Sequence, residues 1–142
     1  MVTFVKGDLL DAKVDIICHQ VNLQGVMGGG IALQIAQRYP SVEKEYMEYP
    51  DKVLGEVCFS LTSKNNYMVA NCFSQNEDFT TNYNALKTCL EEVKKMMFAC
   101  DFETIGFPFK YGCGIASGDW DKVLEIITDV FENNDVLIYI KD

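Results

Sequence analysis

The chain has 142 residues, 49% of them apolar, and a formal net charge of −9 from 12 Lys and Arg against 21 Asp and Glu. This length suits a single domain, expected to span residues 1–142, and no apolar run reaches the roughly 18 residues that a membrane-crossing helix needs. Basic residues are few and scattered apart from Lys94-Lys95, which argues against general nucleic-acid binding through a basic face.

The first residues, Met1 to Asp8, lack the basic start and apolar stretch of a secretion signal. Six cysteines are present, none in a Cys-x-x-Cys pair, beside one histidine. No metal site is expected, and the thiols read as reduced, buried groups in a cytoplasmic protein.

Residues 2–5 alternate as a short strand, and Lys6-Gly7-Asp8 turns out of it into Leu9-Leu10-Asp11. Residues 14–18 are mainly β-branched and apolar, which predicts a buried strand over 14–21. A helix is expected from residue 28 to about 39, with Ile31, Ile35, Ala36 and Tyr39 on one face and Pro40 stopping it. Ser41 is placed to cap a second helix ending near Pro50. Residues 55–61 and 67–73 read as strands joined by the turn cluster at 63–66, so they are expected to pair as a hairpin. A helix follows from about 83 to 100 on the stripe Leu86, Leu90, Val93 and Met97. Residues 104–109 form another buried strand. The last helix carries Trp120, Val123, Leu124, Ile127, Val130 and Phe131 at helical spacing, and residues 136–140 close the chain as a strand. Strands alternating with helices predict an α/β domain, a three-layer α/β/α sandwich with a mixed, mainly parallel central sheet.

Two glycine clusters each sit between a buried strand and a helix. The first places Gly25, Gly28, Gly29 and Gly30 within six positions, and the second is Gly112-Cys113-Gly114. Such loops gather at the carboxyl ends of the strands, where backbone N–H groups can hold an anion. The same spacing also suits tight turns with close helix–sheet packing. Neither cluster is a Walker A loop, because the Gly-Lys-Ser/Thr ending is missing. A dinucleotide-binding Rossmann domain would want an acidic strand end about 20 residues beyond the loop, where this sequence reads as helix.

The combination resembles the macrodomain, an ADP-ribose-binding module, over nearly the whole chain. Lys6-Gly7-Asp8-Leu9-Leu10 is similar to its early signature. His19-Gln20-Val21-Asn22 with Gly28-Gly29-Gly30-Ile31-Ala32 is similar to its first substrate loop. Phe107 through Ile115 is similar to its second, and residues 136–140 to its closing strand. The resemblance is greatest to the stand-alone branch of ADP-ribose-1''-phosphate phosphatases and terminal ADP-ribose hydrolases, and Arg38-Tyr39-Pro40 adds to the likeness with the phosphatases.

It implies that Asp8 accepts from the adenine amino group, Leu9 adds a backbone contact and Asn22 binds the distal ribose. Gly25, Val26, Met27, Gly28, Gly29, Gly30 and Ile31 would wrap the diphosphate and ribose together with Tyr111, Gly112, Cys113, Gly114, Ile115 and Ala116. His19 is the candidate to orient or deprotonate a water, since its ordinary pKa suits acid–base work near neutrality. Hydrogen bonding at a strand end is its alternative role. Asp119 is a second catalytic candidate, or a helix-terminal acid favoured by the macrodipole.

Members that remove ADP-ribose through a lysine adduct carry that lysine after the middle strand, and an aspartate after Gly-Cys-Gly-hydrophobic. Here residues 71–78 contain no lysine, and Ala116 stands at the aspartate position. The implied function is therefore ADP-ribose binding with hydrolysis of ADP-ribose-1''-phosphate, without a cofactor. The alternatives are removal of ADP-ribose from protein or nucleic acid, and binding without turnover.

Overall fold

The computed structural model describes residues 1–62, 66–113 and 118–141. Six strands, β1 (Val2–Lys6), β2 (Ile16–Val21), β3 (Val57–Leu61), β4 (Met68–Phe73), β5 (Thr104–Pro108) and β6 (Asp135–Ile140), form one sheet in the order β1-β6-β5-β2-β4-β3. Every pairing is parallel except β3 with β4, the expected antiparallel hairpin. The central strands are buried on both faces, which is why β2 opens on the apolar run Ile16-Ile17-Cys18, whereas edge strand β1 keeps exposed positions.

The four helices divide between the two faces. Helices α1 (Gly30–Arg38) and α2 (Pro40–Glu48) cover one face with a 3-10 turn (Leu9–Asp11), sealing Ile17, Val21, Val69 and Phe73. Helices α3 (Tyr83–Ala99) and α4 (Trp120–Val130) cover the other over Ile16, Cys18, Ala70, Cys72 and Phe107. The side-chain alternation of a strand sends Ile16 and Cys18 to one core and Ile17 to the other. Phe73 packs between the rings of Tyr46 and Tyr49, at centroid distances of 5.9 and 5.2 Å. Burying such a side chain contributes about 2–3 kcal/mol.

The α1–α2 junction differs from the sequence expectation. Tyr39 is both the C-cap of α1 and the N-cap of α2, and Pro40, not Ser41, opens α2. Proline has no N–H to satisfy and its φ suits a first helical position, so one residue ends the first helix and begins the second. Helix α1 also starts at Gly30, two residues later than expected, and β2 at Ile16. Arg38 reaches back from α1 to donate to Leu10 O at 2.7 Å and Asp11 Oδ1 at 2.9 Å. Tyr67 donates to the same Leu10 carbonyl, so the 3-10 turn is clamped from two sides. No described helix is long and apolar enough to cross a membrane.

Candidate functional site

The carboxyl ends of β2, β5 and β6, and the loop after β4, open on one edge of the sheet. A cleft of about 540 Å³ lies there. Its walls come from Gln20, Val21 and Asn22 at the end of β2, from Val26 and Gly28 to Ala32, from Gln75 and Phe79 after β4, and from Pro108 to Gly112 after β5. A smaller cavity of about 220 Å³ adjoins it through Ile31, Pro108 and Phe109, and is lined by Asp8, Leu9, Gln34, Tyr139, Ile140 and Lys141. The strand order sets these residues along a line: Asp8 follows β1, then come the ends of β6, β5 and β2, and Gln75 follows β4. Four strand spacings of about 4.8 Å make that line about 19 Å long.

The first glycine loop is held by side-chain hydrogen bonds. Asn22 Oδ1 accepts from the N–H groups of Gln24 and Val26, at 3.1 and 3.3 Å, and its Nδ2 donates to Val26 O at 2.8 Å. The hydroxyl of Tyr46, reaching from α2, lies 2.7 Å from Asn22 O and 2.5 Å from Oδ1, and accepts from Gly25 N–H. Burial pushes the Tyr46 phenol up to about 12, so it keeps its proton. Gly30 holds φ at +56°, a region that costs other residues about 1–2 kcal/mol. Gly29 caps α1 without a side chain, so the first-turn N–H groups receive no side-chain cap where Gly30, Ile31 and Ala32 line the cleft. Unpaired N–H groups at a helix start are able to receive an anion.

The second loop begins with Lys110 and Gly112 at φ of +59° and +74°. Gly112 O is fixed by two donors, Thr81 Oγ1 at 2.5 Å and Gly118 N at 3.1 Å. Lys110 Nζ lies 5.7 Å from the Phe109 ring centroid, beside the cleft. Gly114, Ile115 and Ala116 lie outside the described residues.

His19 stands elsewhere. It is fully buried, on the β2 face that carries Ile17 and Val21, and it does not line the cleft. Its partner is Asn71, directly opposite on β4, with Nε2 at 2.5 Å from Oδ1. Asn71 Nδ2 in turn donates to Cys58 O and Ser60 Oγ on β3. Because Asn71 must donate to a carbonyl, its oxygen faces His19, which assigns the proton to Nε2. Burial pulls the imidazole pKa below its ordinary value, against the opposing Asn71 bond. The geometry gives His19 a structural place in a buried polar row away from the cleft walls. Position along the strand explains it: Gln20, Val21 and Asn22 reach the cleft at the carboxyl end of β2, and His19 lies just short of that end, beneath α1 and α2.

Asp119 is also displaced from its expected role. It is exposed, caps α4 by accepting from Asp121 N–H at 3.0 Å, and is absent from the cleft walls. Asp8 lies in the smaller cavity as the cap of the 3-10 turn. Its Oδ1 accepts from Leu10 N–H and its Oδ2 pairs with Lys141 at 3.0 Å. Burial pushes its carboxyl up, but these two partners outweigh that and hold it below the ordinary carboxylate value. Leu9 is beside it.

The larger cleft brings together Asn22, Val26, Gly28, Gly29, Gly30, Ile31, Tyr111 and Gly112. It does not include Gly25, which Tyr46 fixes from behind, Met27, which is buried in the α1–α2 core, or Cys113, whose Sγ turns to Tyr111 O. Gln20, Gln75, Phe79, Phe109 and Lys110 line the cleft without having been singled out in the sequence. Gln75 follows the middle strand, within the segment 71–78 that has no lysine, and that position is the signal in the sequence that points to it. Among the described residues no cluster of three His, Cys, Asp or Glu could hold a metal.

Fold and cleft together define an α/β/α sandwich with a cleft, partly lined by glycine backbone, along the carboxyl edge of its sheet. The chain belongs to the Macro domain family, whose model matches residues 18–127. It is 44% identical over 71 residues to an ADP-ribose 1''-phosphate phosphatase of Saccharomyces cerevisiae (strain YJM789), a match covering 46% of this chain and 40% of that protein. It is 28% identical over 138 residues to the human ADP-ribose glycohydrolase OARD1, covering 96% of this chain and 88% of that one. The macrodomain of Mycobacterium tuberculosis DarG superposes with a TM-score of 0.88 at 24% identity, covering 98% of this chain and 97% of that one.

Proposed function

We propose that this macrodomain binds ADP-ribose and hydrolyses ADP-ribose-1''-phosphate to ADP-ribose and inorganic phosphate. The observation that carries this reading is the pair of adjoining cavities from Asp8 to Gln75, with the glycines before α1 and the turn at Gly112 between their ends. In this reading the adenine sits by Asp8 and Leu9. The diphosphate meets the first-turn N–H groups of α1 and the turn at Gly112, with Lys110 adding positive charge. The distal ribose then lies beside Asn22, with its 1''-phosphate directed toward the far end of the cleft. The step needs water and no cofactor. The yeast relative's name supports the phosphatase reading. The free thiols, four of them buried, fit a reducing, cytoplasmic setting.

The human relative, aligned over most of both chains, supports a second reading, in which ADP-ribose is removed from a modified macromolecule. No lysine from residues 71–78 is available for an adduct, so that route would rely on water. The test is calorimetric binding of ADP-ribose, followed by assays of phosphate release from ADP-ribose-1''-phosphate and of ADP-ribose release from modified protein and DNA. ADP-ribose binding together with phosphate release is expected. Release from a macromolecule alone would select the second reading, and binding without any turnover would leave a pure binding module.

A further inference from the structure

With His19 buried, the cleft holds no histidine to guide a water, and the hydrogen bonds at its far end single out another residue. Gln20 Nε2 donates to Ser74 O at 3.2 Å and to Thr81 Oγ1 at 3.3 Å. A backbone carbonyl can only accept, so this contact fixes which end of the Gln20 amide is nitrogen. Gln20 Oε1 is then an acceptor, and Gln75 Nε2 donates to it at 3.2 Å. The Gln75 amide is thereby oriented as well, and its Oε1 makes no hydrogen bond among the described residues.

The segment carrying Gln75 is held firmly. Gln75 and Thr81 form an antiparallel bridge, Asn76 N–H donates to Thr80 O at 2.7 Å, and Asn82 N–H donates to Ser74 O at 2.8 Å. Thr81 continues the chain of bonds to Gly112 O in the second loop. The half-buried Gln75 thus holds its amide at fixed geometry in the cleft wall, at the end opposite Asp8.

We propose that Gln75 Oε1 holds the water that attacks the terminal phosphate, which makes Gln75 a catalytic residue of this chain. The assignment rests on the phosphatase reading above. An amide oxygen is too weak a base to take the proton; it accepts a hydrogen bond and so orients the nucleophile, as glutamines do in some nucleotide hydrolases. The water oxygen forms the new P–O bond. The P–O1'' bond breaks with its electron pair on O1'', and one water proton ends on O1'', releasing ADP-ribose and inorganic phosphate. The benefit is orientation, the kind of effect that a small misplacement erodes by about 100-fold.

Gln75→Met keeps the length of the side chain and removes the acceptor. Its kcat on ADP-ribose-1''-phosphate is expected to fall about 100-fold, while the Kd for ADP-ribose stays within about threefold. Gln75→Glu restores an acceptor when ionised. It should recover about tenfold of that loss and add a new fall in kcat below about pH 5, as a carboxylate of ordinary pKa protonates. Any of three results overturns the assignment: a Met variant with wild-type kcat, equal losses of kcat and ADP-ribose affinity, or a Glu variant no better than Met. Absence of phosphate release from a wild-type chain that binds ADP-ribose would instead overturn the phosphatase reading itself, and this proposal with it.

Discussion

At the scale of single residues, the buried row His19–Asn71–Ser60 links three strands beneath α1 and α2. The imidazole there is neutral because burial disfavours its charged form. In the unfolded chain the same group takes a proton near its ordinary pKa of about 6.5. Below that pH the unfolded state therefore binds the extra proton first, and stability falls as pH drops toward the lower folded-state pKa. Above it both states are neutral and this contribution is constant. A single histidine sets a limiting slope of about 1.4 kcal/mol per pH unit across that window. Urea unfolding from pH 8 to pH 5 should show this loss in the wild type, and a shallower one in His19→Gln. Parallel curves for the two proteins would mean that the fold leaves the pKa of this ring where the unfolded chain has it.

At the scale of elements, the second glycine loop is closed at its mouth by Gly118 N–H on Gly112 O. A Cβ on Gly118 would stand 2.4 Å from that oxygen, a backbone atom with no flexible end to yield. Gly118→Ala is therefore expected to break the closure and the Thr81 contact beside it, lowering ADP-ribose affinity at least tenfold with a modest fall in Tm. Calorimetry and a melting curve measure both, and wild-type affinity would show that the mouth tolerates opening. The elements themselves were largely legible. Apolar runs marked the strands of the sheet, and the stripe Leu86, Leu90, Val93 and Met97 marked α3, because each pattern reports a buried face. The α1–α2 junction was not, because Pro40 signals a helix stop and a helix start with the same chemistry. The glycine walls of the cleft were visible as a pattern. Gln20 and Gln75 were not, since an amide carries no local signature; only strand alternation and the β2–β4 pairing bring them together. His19 looked catalytic for the converse reason: its chemistry is visible in sequence, while the face it occupies is decided by the sheet.

At the scale of the whole molecule, a chain of net charge −9 is read as binding an anionic diphosphate. In the proposed reading, backbone N–H groups at a helix start meet the diphosphate's charge locally, through hydrogen bonds made at contact distance. Among the described residues lining the two cavities the cations are Lys110 and Lys141, and Lys141 is already paired with Asp8. The surrounding acidic surface acts differently: it repels the ligand over a range comparable with the Debye length, about 10 Å at 0.1 M salt. Raising salt from about 50 to 300 mM shortens that range and weakens the repulsion more than it weakens the short contacts. ADP-ribose binding should accordingly hold steady or tighten slightly over this interval, with a faster on-rate in stopped flow. A site built from a cluster of lysines and arginines has the opposite sign, since screening then removes the attraction that holds the ligand. A steep loss of affinity with salt would therefore place the diphosphate on Lys110 and not on the glycine backbone.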